Sequence, residues 1–348
     1  MKRAFVLTLL IAAATLSITV AGFQGRGRGA ARPEGLLQQP QGAWQQGRVA
    51  TVDKLRDNVY RILNTGSNCT AFITDAGVVL IESGYPGWGR EILEKLRSVT
   101  DKPITMVINT HAHVDHAASN VELGPAEAIS FVAHENAKAN MSKADCSTLS
   151  GAGAGACTPF KGENAKYLPK RTFKDKMSLK SGNLRMELSY YGRAHTSGDI
   201  VIEFPSMRLA HVGDLFAWQG VPRLMPEDGG STVEFPETLR KAQAAIKNVD
   251  TIITGHTRVM TWQEWVDQRE FVTEYVQQVR AAHKAGKTVD EAIASFKWSD
   301  RFKVCPPEDT FVSQYPADYP KFHNQCTYRT DQMKSDTQVA YSELDKTK

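Results

Sequence analysis

The run Ile104-Thr-Met-Val-Ile108 passes without a break into Asn109-Thr-His-Ala-His-Val-Asp-His116. Five residues of this kind are too few for a stable helix and read as a buried strand. Three imidazoles and a carboxylate therefore gather where a sheet ends and a loop begins. The same grammar recurs along the chain. Val59 to Leu63, Thr70 to Thr74 and Gly77 to Ile81 read as strands, the last closed by Ser83-Gly84 and Pro86. Gly89 to Arg97 carries a helical stripe of Ile92, Leu93 and Leu96. Downstream, Met186 to Tyr191, Asp199 to Phe204, Arg208 to Val212 and Thr251 to Ile253 read as strands. Glu237 to Ile246, Trp262 to His283 and Val289 to Phe296 read as helices, and Ala117 to Leu123 starts another. Strands followed by helices, twice over and without a fixed repeat, predict sheets covered by helices.

The residue types at 111–116 suit a divalent metal. Neutral imidazole and carboxylate together favour Zn²⁺, and they also accept Fe or Mn. In an extended chain His111 and His113 point the same way, and Asp115 and His116 turn toward a second point as the chain bends. Three more candidates follow predicted strands. His195 lies in Gly192-Arg-Ala-His-Thr-Ser-Gly-Asp199, Asp214 in His211-Val-Gly-Asp-Leu215, and His256 in Ile253-Thr-Gly-His-Thr257. Each has a glycine close by, which lets backbone approach the site.

HAHVDH, AHTSGD, the GD at 213–214 and the GH at 255–256, in that order, resemble the metallo-β-lactamase superfamily over about residues 49–300. The resemblance implies an α/β fold, an αββα sandwich of two mixed β-sheets flanked by helices. It also implies that His111, His113 and His195 hold one metal, that Asp115, His116 and His256 hold a second, and that Asp214 bridges them. Two Zn²⁺ are the implied cofactors, with Fe or Mn as other fits. Such a pair would ionise a shared water for attack on a small ester, lactone, thioester or β-lactam-like amide. Asp115 would be catalytic, orienting the nucleophile or passing its proton to the leaving group. The rival readings are a mononuclear iron thiol dioxygenase on the same fold and a phosphodiesterase.

Two departures from the family pattern stand out. Leu80-Ile-Glu-Ser-Gly84 has Glu82 where the family has Asp in LIDTG, so Glu82 is assigned the place behind the ligands with a longer reach. An acidic residue at 214 is typical of glyoxalase II, lactonases and phosphodiesterases of the superfamily, whereas the antibiotic-hydrolysing subclasses carry Cys or another non-acidic residue. Asp199 either supports a ligand histidine or closes the turn at Ser197-Gly198. Phe216, Trp218 and Arg223 are the substrate-contact candidates, with Tyr85 to Trp88 beside them. His134, His211, His283 and His323 have no matching partner and are assigned to structure or solvent.

Lys2 and Arg3 before the apolar run Ala4 to Gly22 predict a cleaved export signal at 1–22 and a periplasmic or secreted protein. Residues 23–48 read as linker, 49–300 as the catalytic domain with an insertion at about 141–172, and 301–348 as an extension. The insertion and the charged tail lack periodicity and are placed outside the core. Cleavage takes the formal charge from +4 to +2, which gives no case for nucleic acid. The expected partner is a small molecule, with no stable membrane association after cleavage; oligomeric state is open. Five cysteines in an exported chain are disulfide candidates. Sequence proximity pairs Cys146 with Cys157 and Cys305 with Cys326, leaving Cys69 over.

Overall fold

In β4 (Gly77–Ile81) every residue is buried, and the side chains alternate between two apolar layers. Val78 and Leu80 face one hydrophobic cluster, Val79 and Ile81 another. A strand covered on both faces has to sit in the middle of a layered domain. The computed structural model describes residues 49–144, 159–299, 302 and 330–346. Among them, β1 (Thr51–Arg56), β2 (Val59–Leu63), β3 (Cys69–Thr74), β4, β5 (Ile104–Ile108), β6 (Ser130–His134) and β7 (Arg171–Phe173) form one sheet in sequence order. Its first half is antiparallel, and β4 to β7 run parallel. The second sheet contains β8 (Lys176–Ser181), β9 (Leu184–Tyr190), β10 (Ile200–Phe204), β11 (Leu209–His211), β12 (Thr251–Ile253) and β13 (Met260–Thr261), in the order β13-β12-β11-β10-β9-β8. Only its β11–β12 pair is parallel.

The sheets meet through Phe72, Ile81, Ile108 and Val132 on one side and Leu188, Ile202, Phe204 and Ile253 on the other. The rings of Phe72 and Phe204 stack with centroids 4.0 Å apart. Helices α1 (Gly89–Arg97), the short α2 (Val114–Ala117) and α3 (Glu135–Met141) belong to the first sheet's side. Helices α4 (Phe235–Ala245), α5 (Trp262–Lys284), α6 (Val289–Ser295) and α7 (Thr330–Asp345) belong to the second. The result is the αββα sandwich. Helix α5 starts sharply because Thr261 and Glu264 cap each other's backbone N–H groups. No described helix is long and apolar enough to cross a membrane.

Two peripheral segments pack more tightly than predicted. Phe160 and Tyr167, within the supposed insertion, are each 2 % exposed and complete the core under the first sheet. In the tail, Met333 and Ala340 are buried with Tyr275 and Val276 of α5. The spacing of Met333, Asp336, Thr337 and Ala340 follows one helical face, which the surrounding charges obscured.

Residues 1–48, Cys146, Cys157, Cys305, Cys326 and His323 lie outside the described residues. Cys69 is a free, fully buried thiol 3.3 Å from Thr65 Oγ1. Burial pushes its pKa up to about 12. Because the thiolate is the nucleophile, iodoacetamide at pH 8 is expected to leave Cys69 unmodified in the native protein and to label it in denaturant. Peptide mapping of this position checks the outcome; labelling of the native chain at a free-thiol rate would contradict it.

Candidate metal centre

The loop after β5 is tied down before any ligand is placed. Asn109 donates from Nδ2 to the His116 carbonyl at 3.0 Å, and Asn120 donates back to Asn109 Oδ1 at 2.8 Å. Thr110 gives both its N–H and its hydroxyl to the Glu82 carboxylate. The chain is still extended at His113 (φ −61, ψ 148) and turns helical at Val114. His111 and His113 therefore project together, and Asp115 and His116 turn onto the next face.

His195 follows β9, Asp214 follows β11 and His256 follows β12, so strands of the second sheet bring their ends to the same edge. Two glycines make the closeness feasible. A Cβ on Gly255 would stand 1.8 Å from Asp214 Oδ1, and one on Gly213 would stand 2.3 Å from Thr110 Oγ1.

Each imidazole has one nitrogen turned outward to an oxygen. His111 Nδ1 lies 3.0 Å from Thr110 Oγ1, and His113 Nε2 lies 3.2 Å from Asp228 Oδ2. His116 Nδ1 lies 3.3 Å from Glu82 Oε1, His195 Nδ1 donates to the Arg223 carbonyl, and His256 Nδ1 lies 3.0 Å from the Gly66 carbonyl. For His111, His195 and His256 that oxygen is in hydrogen-bond geometry, and an acceptor there holds the proton on the outer nitrogen and leaves a lone pair on the inner one. His113 Nε2 and His116 Nδ1 lie near a carboxylate oxygen without a hydrogen bond among the described residues. The inner nitrogens then face one another. His113 Nδ1 is 3.0 Å from His111 Nε2 and 2.9 Å from His195 Nε2, and His116 Nε2 is 3.2 Å from His256 Nε2.

Nitrogens this close repel unless a proton or a metal cation lies between them. Four donors around Zn²⁺ at 2.0–2.1 Å stand about 3.3 Å apart, so these separations fit a metal. The donors sort into two main groups, His111–His113–His195–Asp214 and Asp115–His116–His256, and a third set, Glu82–His111–His116, overlaps both. Asp214 Oδ2 lies 3.3 Å from His195 Nε2 and 3.2 Å from His256 Nε2, so one carboxylate oxygen reaches both groups. Its Oδ1 is buried without a hydrogen-bond donor among the described residues. Asp115 Oδ2 lies 3.6 Å from His116 Nε2 and 3.5 Å from His256 Nε2.

The charges around the donors follow the same plan. Burial alone would raise Asp214, but His256, His116 and His195 outweigh it and hold the carboxyl well below its usual range. Burial likewise opposes the ionised form of Asp115, and His116 and His256 overcome it. Burial, with His113 beside it, takes His195 down to about 3 and keeps it neutral. His116 is raised despite its burial, because Asp214, Asp115 and Glu82 surround it. The proton that these carboxylates hold on His116 is one a metal would displace.

The remaining sequence candidates are placed less uniformly. Glu82 is fully buried behind His116 and adopts a left-handed backbone (φ 64). Asp199 accepts from the N–H and hydroxyl of Thr196, so its carboxyl closes the turn after His195 and touches no ligand imidazole. Phe216 is 1 % exposed and belongs to the core beneath α4 and α5. The Trp218 indole sits 6.2 Å from the His256 ring, partly exposed at the mouth. Arg223 supports His195 through its carbonyl, while its side chain is exposed. Tyr85 is half-buried and Trp88 is in the core. Away from the donors, His134 caps α3, His211 lies against the Asn68 carbonyl and His283 against Asp345.

Sequence reasoning missed Asp228 and Gln268. Asp228 precedes two glycines and reads only as a turn. Gln268, buried on α5, accepts from the Gly220 N–H at 2.8 Å and donates to its carbonyl at 2.7 Å, fixing the loop that carries Trp218.

Two facing sheets with a His/Asp metal-binding cluster at their strand ends define a metal-dependent hydrolase. The chain belongs to the metallo-beta-lactamase superfamily, whose pattern matches residues 63–256, more than half of its length. It is 25 % identical over 254 residues to the metallo-beta-lactamase type 2 of Elizabethkingia meningoseptica, covering 67 % of this chain and 88 % of that one. Among solved structures, a metallo-beta-lactamase from Pontibacter korlensis superposes with a TM-score of 0.51 at 16 % identity, over 64 % of this chain and 99 % of that one. A sec-alkylsulfatase from Pseudomonas sp. superposes with a TM-score of 0.60 at 15 % identity, over 84 % of this chain and 50 % of that one. At such identities the structures speak for the fold alone.

Proposed function

We propose that the protein is an exported dinuclear zinc hydrolase that cleaves a small ester, lactone, thioester or β-lactam-like amide. The observation that carries this reading is Asp214, whose single oxygen lies within 3.3 Å of an imidazole from each donor group. An oxygen so placed is suited to bridge two cations. His111, His113 and His195 would hold one ion, Asp115, His116 and His256 the other, and Asp214 both.

Two divalent cations held there would supply Lewis acidity and bring the pKa of water toward ~7. The chain's own residues do the rest. The oxygens outside the imidazoles, from Thr110, Asp228, Glu82, Arg223 and Gly66, keep the inner nitrogens aimed. Asp115 has the more open of the two ligand carboxylates, at 16 % side-chain exposure against 5 % for Asp214. It is thus placed to orient the nucleophile and to pass a proton to a leaving group. Trp218, held by its loop against His256, gives the mouth an apolar wall, and Arg223 stands at its rim. Export rests on Lys2, Arg3 and the apolar run that follows.

Metal analysis of protein purified without added metal is expected to find two zinc ions per chain. Lactones, thioesters, a chromogenic cephalosporin and phosphodiesters, each assayed with and without chelator, then name the substrate class. Turnover that stops with chelator and returns with zinc supports the reading. One iron per chain with oxygen uptake would replace it with a thiol dioxygenase, and turnover of phosphodiesters alone would replace it with a phosphodiesterase.

A further inference from the structure

The segment from Arg223 to Glu234 doubles back over the first donor group and forms a strap. On its inner side Met225 N–H donates to the His195 carbonyl at 3.3 Å, and Ser231 N–H donates to the Ala194 carbonyl at 2.8 Å. Asp228 brings Oδ2 to 3.2 Å from His113 Nε2, a carboxylate–imidazole contact outside hydrogen-bond geometry. On its outer side the Arg193 guanidinium donates to the carbonyls of Gly229 at 2.8 Å and Gly230 at 3.1 Å. Helix α7 reaches the same strap. Glu343 accepts from the Val233 N–H at 3.1 Å and lies 3.5 Å from Arg193 Nη2, and the Asp336 carbonyl accepts from the Thr232 hydroxyl at 3.0 Å.

We propose that Arg193 and, on the C-terminal helix, Glu343 are positioning residues for the metal centre. By clasping the strap from outside they hold Asp228 against His113 and so aim that imidazole. Helix α7 lies beyond residues 63–256, which the superfamily pattern matches. The inference rests on the reading of the donor groups as a metal site. The Arg193 side chain is 41 % exposed and that of Glu343 18 %, and a pair partly open to water contributes little to stability. Its effect should lie in the geometry of the site.

The test titrates metal-free full-length protein with zinc against a competing chelator and records the visible spectrum of the cobalt-substituted form. Glu343→Ala and Arg193→Gln are expected to weaken one of the two zinc constants by about tenfold and to alter the cobalt bands. Tm of the metal-free protein should move by no more than about 2 °C. Tyr275→Phe serves as the control, since it removes a different anchor of α7, the bond from Tyr275 to Thr337 at 2.9 Å. It should lower Tm and leave both zinc constants in place. The proposal is overturned if Glu343→Ala and Arg193→Gln stay within twofold of wild type, or if Tyr275→Phe shifts a zinc constant as much as they do. Wild-type protein that binds no zinc would instead overturn the functional reading beneath it.

Discussion

Asp214→Ala is expected to lower kcat/KM by about a thousandfold or more and to reduce bound zinc from two ions to one or none. The reason is the position of its carboxylate. His195, His256 and His116 approach it at 3.3, 3.2 and 3.5 Å. With the carboxylate gone, the two donor groups keep five imidazoles and a single anion, Asp115, which lies beside the second group only. Asp214→Asn separates charge from shape. It keeps the volume against Gly255 but offers a neutral oxygen, and its amide hydrogens point at nitrogens that carry lone pairs. Its zinc content should resemble that of the alanine variant. Metal analysis and steady-state kinetics on both variants decide the matter. Two tightly bound ions in Asp214→Ala, with activity within tenfold of wild type, would remove the bridging role and the dinuclear reading with it.

The donor residues were legible because each sits in a short local pattern at the end of a strand. The strands that carry them could be recognised from apolar runs such as Ile104 to Ile108. By contrast, β1, β6, β7, β8 and β13 were not read, and neither was the order of strands in either sheet. What surrounds the donors was much less legible. Asp228 and Gln268 act through contacts that join distant parts of the chain, and neither spacing nor composition announces such a contact. Phe216 shows the opposite difficulty. Its sequence neighbourhood, two residues after Asp214, suggested the site, but the turn at Gly213 to Phe216 rolls its ring into the core. The tail misled for a third reason. Its charges dominate its composition, yet burial depends on the few positions that share a face, among them Met333 and Ala340 of α7.

Glu82 offers a discriminating substitution behind the donors, because one of its oxygens, Oε1, serves both Thr110 and His116. The carboxylate accepts from the Thr110 N–H and hydroxyl and faces His116 Nδ1 at 3.3 Å, all in full burial. Glu82→Ala removes every partner at once. The buried Thr110 N–H is left unsatisfied, and a loss of about 3 kcal/mol of metal-free stability is expected, together with a 10- to 100-fold weaker zinc constant. Glu82→Gln keeps the size, and with its amide oxygen at the Oε1 position it still accepts from Thr110 and still faces His116 Nδ1. What it removes is the negative charge behind His116, one of the charges that raise that imidazole's pKa. Glu82→Gln is therefore expected to retain most of the stability and to weaken zinc binding less than Glu82→Ala does. Denaturant unfolding of the metal-free protein, zinc titration and the ring-nitrogen shifts of His116 measure the three quantities separately. A zinc constant as weak in Glu82→Gln as in Glu82→Ala would show that the carboxylate's charge, and not its shape, supports His116.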